Sequence, residues 1–158
     1  MKFEKNAYIK IAYFSIISIV YSYISSKIIE HLNIDENNIG GIAFKSQIQE
    51  VFVGLIFGPI IETLIFQFAP YKVIFYFKKI IQKYLLKKES QFLGLYILIS
   101  SILFAISHSY SAYYIFLMII PGVILSYSFY FLKKNYTYPI LYTFFIHLIH
   151  NLFIFISE

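Results

Sequence analysis

At 158 residues the chain has room for one domain, and 59% of it is hydrophobic against 13% charged. With a mean hydropathy of +0.72, it lies outside the soluble range and is expected to be a membrane protein. The absence of cysteine excludes a disulfide framework, a thiolate metal site and a thiol nucleophile. The net charge of +5 comes from lysine alone. Those lysines lie in short segments between apolar runs, which fits membrane topology and gives no nucleic-acid partner.

Crossing the hydrocarbon core as a helix takes about 20 apolar residues. The first such run, 7–29, follows Lys2 and Lys5 and holds Lys10 near its start. It is long, rich in Ile and Tyr, and lacks a small-x-small cleavage site, so it reads as a retained anchor and not a signal peptide. Residues 30–50, with Asp35, Glu36, Asn37, Asn38 and the Gly40-Gly41 pair, read as a polar loop. The second run, 51–77, passes Pro59 and Pro70 and exceeds one bilayer thickness. It must tilt, kink at a proline or emerge as an interfacial helix. A basic stretch, 78–90, leads to a third span at 92–108, a fourth at 112–132 and a fifth at 138–156. The expected fold class is all-α, a polytopic membrane bundle of about five transmembrane helices. It forms one domain, 1–158, with an anchor helix and loop at 1–50 and a core at 51–156.

Lysine placement orients the spans. Lys2, Lys5, Lys10, Lys72, Lys78, Lys79, Lys83, Lys87, Lys88, Lys133 and Lys134 fall on one side, which leaves Lys27 and Lys45 on the other. Short loops rich in lysine stay cytoplasmic, so the N-terminus is expected inside and the C-terminus outside, with the basic loop touching anionic headgroups. The expected location is a bacterial cytoplasmic membrane.

Within these runs a few polar residues stand out. Glu62 is the only charge between Val51 and Phe68. An ionisable group at bilayer depth costs at least a few kcal/mol, and by default it marks function. The ordinary alternative is a polar group that binds neighbouring helices together. His108 ends Phe104-Ala105-Ile106-Ser107-His108, with Phe104 one helical turn before it and able to hold its imidazole off lipid. In the last run His147 and Asn151 are four apart and share a face, so both can donate to one oxygen, as an oxyanion requires. Interhelical hydrogen bonds worth about 1 kcal/mol each are the plainer use for them. His150 could join His147 in a metal cluster but is expected to sit to one side as a structural group. Glu beside His makes a general-base pair able to take a proton from water. The only aspartate, Asp35, lies in a loop, and no Gly-x-Ser-x-Gly elbow is present.

These residues, in this order, resemble the CPBP family of membrane proteases, the CAAX-protease and bacteriocin-processing group also called Abi. That family's pattern is Glu-Glu-x-x-x-Arg, then Phe-x-x-x-His, then His-x-x-x-Asn, each on its own helix. Glu62 matches the first Glu, Phe104 and His108 the second motif, and His147 and Asn151 the third, over residues 51–156. The chain departs at Thr63, where the family has its second Glu, and at Gln67, where it has Arg. Replacing both members of a buried ion pair can be nearly neutral, and Thr63 is expected to hydrogen-bond Gln67 instead. The resemblance implies a glutamate-type intramembrane endopeptidase. Glu62 and His108 then activate water, and His147 and Asn151 stabilise the oxyanion, with Thr63, Gln67 and Phe104 in support. It implies a peptide or protein substrate, lipidated or not (a prenylated CAAX terminus or a bacteriocin-like peptide), met in the lipid bilayer, and no cofactor. Zinc held by Glu62, His108, His147 and His150 is the lesser alternative. Two other classes of function remain: an inactive immunity or scaffold protein of the same fold, and a small proton or ion relay, against which the lack of paired repeats counts.

Overall fold

The computed structural model describes residues 4, 6–34, 45–78, 80 and 88–157. They wind into helices long and apolar enough to cross a membrane: α1 (Ala7–His31), α2 (Gln47–Tyr76), α3 (Glu89–Ser107), α4 (Ala112–Asn135) and α5 (Pro139–Ser157). The protein is an all-helical, multi-pass integral membrane protein, and no strand occurs among the described residues. Both edges of the expected loop at 30–50 are helical. α1 runs on to His31, and α2 starts at Gln47 because Ser46 Oγ accepts the Gln49 N–H at 3.2 Å, an N-cap that satisfies one orphan donor. Asp35, Glu36, Asn37, Asn38, Gly40, Gly41, Lys2, Lys5, Lys79, Lys83 and Lys87 lie outside the described residues.

α2 continues through Pro59 and Pro70 as one rod, which is how the long second run is accommodated. It achieves this by changing its winding. Val51–Phe57 and Thr63–Phe68 are π-helical, and between them lies a single α-helical stretch, Gly58–Glu62. A π turn bonds each N–H five residues back and is rare outside functional sites.

Proline removes a backbone donor, and in hydrocarbon no water replaces it. Each of three prolines inside these spans has a neighbouring helix at the carbonyl it leaves open. Tyr21 OH of α1 donates at 2.6 Å to Leu117 O, four residues before Pro121 of α4. Ser100 Oγ of α3 donates to Phe66 O, four before Pro70. Asn151 Nδ2 of α5 donates at 2.9 Å to Gly54 O, five before Pro59.

α3 and α4 are joined by a short turn and press closely together. A Cβ on Gly122 would lie 2.9 Å from Ser101 Cα, so only glycine permits this approach. Around them are two cores. Phe104, Leu125, Tyr142 and Ile146 pack with Phe14 of α1, while Ile74, Phe92, Tyr96 and Phe129 form the other. α1 lies against α4 and α5, fixed by Ser18 Oγ, 2.9 Å from His150 Nδ1. Outward faces carry large apolar side chains such as Ile16, Phe57, Leu98 and Phe116, as lipid contact requires.

At the end of the bundle where α3 starts, Lys78 pairs with Glu89 at 2.5 Å, and Tyr130 OH donates to the same carboxylate. His108 lies past the other end of α3, about 28 Å away at 1.5 Å per residue.

Candidate active site

Three of the titratable groups singled out in the sequence, Glu62, His108 and His147, converge. Glu62 Oε2 lies 3.6 Å from His147 Nε2 and 3.8 Å from His108 Nε2. Glu62 closes the α-helical stretch between the two π turns, His108 caps the C-terminus of α3, and His147 lies in the middle of α5. Both separations are too long for a direct hydrogen bond, and an oxygen about 2.8 Å from each partner spans either gap.

His108 is held in one tautomer. Its Nδ1 lies 2.8 Å from Phe104 O, and a carbonyl can only accept, so Nδ1 carries the proton. With Nδ1 so engaged, Nε2 is the ring nitrogen that faces Glu62. This carbonyl lies one turn back on the same helix and fixes the ring as an outer partner would. The Phe104 ring, 2% exposed, stacks 4.6 Å from the His108 ring and meets the His147 ring edge-on at 5.8 Å. It forms the apolar wall behind both imidazoles.

His147 is buried, and among the described residues its Nδ1 has no hydrogen-bond partner, so Nε2 is its one atom directed at a polar group. Asn151 shares the α2-facing side of α5 with His147, as expected. It meets a different part of α2, however: its Nδ2 is engaged by Gly54 O. Because Gly54 pairs with Asn151 while Glu62 pairs with His147, α2 and α5 run antiparallel.

Thr63 and Gln67 depart from expectation. Both are fully buried, but among the described residues Thr63 Oγ1 and both ends of the Gln67 carboxamide lack a hydrogen-bond partner. The expected bond between them assumed α-helical spacing. The stretch Thr63–Phe68 is wound as a π-helix instead, with each backbone N–H bonded five residues back. Of the four donors named for zinc, His150 is turned away from the other three. His150 turns its Nδ1 to Ser18 and Ser22 of α1, at 2.9 and 3.5 Å. Among the described residues no group of three or more His, Asp or Glu side chains is placed to hold a metal.

Sequence reasoning missed two features. The Gly58-Pro59 pair, a strong local punctuator, lies directly before Glu62. A Cβ on Gly58 would lie 2.8 Å from Val53 O, so glycine permits the close winding of the backbone just before Glu62. The turn after α3 also brings two tyrosines to the rim: Tyr114 lies 6.1 Å from the His108 ring and Tyr110 lies 5.4 Å from Tyr114. Burial, with the Glu62 charge as the lesser cause, holds the Tyr110 phenol above its ordinary pKa.

The site thus joins a carboxylate and two imidazoles inside a membrane bundle, at the level of the α3–α4 turn. Searches of curated proteins and of solved structures returned no match. A family model described as type II CAAX prenyl endopeptidase Rce1-like matches residues 44–153, which contain Glu62, His108, His147 and Asn151. That match spans well over half of the chain, and the protein belongs to this family of membrane endopeptidases.

Proposed function

We propose that the protein is an intramembrane endopeptidase in which Glu62 and His108 activate the hydrolytic water. The observation that carries this is the convergence of Glu62 Oε2 on His108 Nε2 and His147 Nε2 from three separate helices. One water donates its two protons to Glu62 Oε2 and His108 Nε2, which leaves a lone pair free for the scissile carbonyl carbon. As the C–O bond forms, Glu62 takes a proton. The carbonyl oxygen becomes an oxyanion facing His147 Nε2, which donates to it as a neutral Nε2–H tautomer. Glu62 then passes its proton to the leaving nitrogen as the C–N bond breaks. The chemistry needs no cofactor.

The substrate is a peptide that reaches the site from the end bearing the α3–α4 turn, past Tyr110 and Tyr114. Lys78, Lys133 and Lys134 lie at the opposite end, so the lysine rule puts the N-terminus in the cytoplasm and opens the site outward. This orientation favours a peptide other than a cytosolic CAAX terminus, although prenylated CAAX sequences are the substrates in the family's description. The chain has no cysteine, so single introduced cysteines report sidedness without background. A cysteine at Tyr110 labelled only from outside supports this orientation, and labelling only from the cytosol inverts it.

The decisive experiment is cleavage of a peptide library, with and without prenyl groups, by the protein in liposomes. Glu62→Gln and His108→Ala are expected to abolish products that the wild type makes. Retained cleavage by Glu62→Gln sinks the proposal. A non-catalytic relative that binds peptide is the second reading, favoured by the unpaired Thr63 and Gln67. It expects unchanged peptide binding and no cleavage by any form.

A further inference from the structure

Three local facts about α2 fit together only when Asn151 is included. The Gly58 N–H, the α-type donor for Gly54 O, goes instead to Val53 O, five residues back. The next N–H in line, the π-type donor for Gly54 O, belongs to residue 59, which is proline and has none. Gly54 O is therefore left without either regular helical donor, and Asn151 Nδ2 of α5 fills the place at 2.9 Å.

We infer that Asn151 is a positioning residue: it locks the π turn that sets the Glu62 carboxylate opposite His147 and His108, by supplying the hydrogen bond that Pro59 cannot. Resting on the protease chemistry proposed above, this gives one of the two Asn151 amide N–H groups a backbone carbonyl as its target. Because Glu62 lies three residues after Pro59, any change of winding between Gly54 and Pro59 rotates its side chain about the helix axis. The alternative to the π turn is α bonding from Gly58 N–H to Gly54 O. That frees Val53 O, shifts the register by one residue and turns Glu62 away from α5. The Asn151 bond occupies Gly54 O and so disfavours the switch. The contact also ties α2 to α5 one turn beyond His147, fixing the two helices that carry the carboxylate and the buried imidazole. The His150 contact with Ser18 anchors an adjacent face of α5 to α1, so this helix is tied to two neighbours.

The test restores the missing donor. Pro59→Ala puts an N–H where the π turn needs it, so Gly54 O gains a backbone partner and Asn151 becomes dispensable. Asn151→Ala is expected to lower kcat for a reporter peptide by 100-fold or more with little change in KM. Pro59→Ala alone sets the reference activity for the double variant. The double variant Asn151→Ala/Pro59→Ala is expected to regain at least tenfold over Asn151→Ala. A double variant as inactive as Asn151→Ala overturns the inference and returns Asn151 to the oxyanion. A readout independent of activity comes from the glycines, of which the chain has six. With [1-13C]glycine label, the Gly54 carbonyl resonance is expected to move upfield in Asn151→Ala and to return in the double variant. An unmoved Gly54 resonance also overturns it. If the wild type cleaves nothing, the protease proposal fails by itself, and the carbonyl shifts still decide what Asn151 bonds.

Discussion

Pro59 in α2 and Pro121 in α4 are two answers to the same deficit. Each lies inside a membrane-spanning helix, deletes one N–H and leaves a carbonyl to a side chain from another helix. At Pro121 the helix stays α-helical and Tyr21 reaches the carbonyl four residues back. At Pro59 the helix is π-wound on both sides of one α-helical stretch, and Asn151 reaches the carbonyl five residues back. Only the second region carries a carboxylate, facing two imidazoles. Repairing a proline is thus a general requirement of the hydrocarbon phase, whereas changing the winding accompanies the aiming of Glu62. The Pro121 region belongs to the frame and the Pro59 region to the site, and substitutions in the two should separate activity from stability.

The largest effect is expected at Glu62. Removing its base function with Glu62→Gln should cost about 100- to 10,000-fold in kcat, the range for a positioned general base, with the unfolding midpoint in mixed micelles unchanged. A large loss of stability instead would place Glu62 in the frame. Next is Gly58→Ala, where the new Cβ meets Val53 O at 2.8 Å, so the backbone must shift. Cleavage should fall roughly 10- to 100-fold, in keeping with the loss caused by an ångström-scale misplacement. Gly94→Ala, whose Cβ meets nothing within 4 Å, serves as the silent control.

In the frame, Gly122→Ala should force α3 and α4 apart, because its Cβ comes to 2.9 Å from Ser101 Cα. Overpacking of this kind costs about 1–3 kcal/mol of unfolding free energy, measured by denaturant titration in micelles. Residual activity per folded molecule should stay near wild type. Thr63→Val joined to Gln67→Leu removes buried polar atoms that lack partners. A gain of roughly 1–3 kcal/mol is expected from the desolvation cost of an unsatisfied group, whereas a loss means that these side chains find partners in the membrane. The smallest effect is expected from Tyr21→Phe. Losing the Leu117 bond should cost about 0.6 kcal/mol, the average for such bonds in membranes, with cleavage untouched.

Glu62, His108 and His147 were legible in the sequence because a polar side chain in an apolar run is expensive and has few places to go. His108 was also legible through Phe104, which sits one turn before it and packs on its ring as expected. Thr63 and Gln67 were not. The expected bond presumed an α-helical turn, and nothing local announces that this segment winds as a π-helix. Asn151 was legible as a polar member of the His147 face, but its partner is a backbone carbonyl on another helix, and carbonyls carry no sequence signature. His150 shows the same limit in reverse. Beside His147 in the chain, it turns to Ser18 and Ser22 on α1, which sequence distance gives no reason to link.

By itself the sequence determined the membrane character, the number of spans and the identity of the converging groups. All three follow from transfer free energies that each residue carries wherever it lies. The winding of α2, the partner of Asn151 and the partners of His150 were decided only in the tertiary structure. Each depends on which carbonyl lacks a donor after the helices have packed, and that depends on distant chain segments meeting in a medium without water.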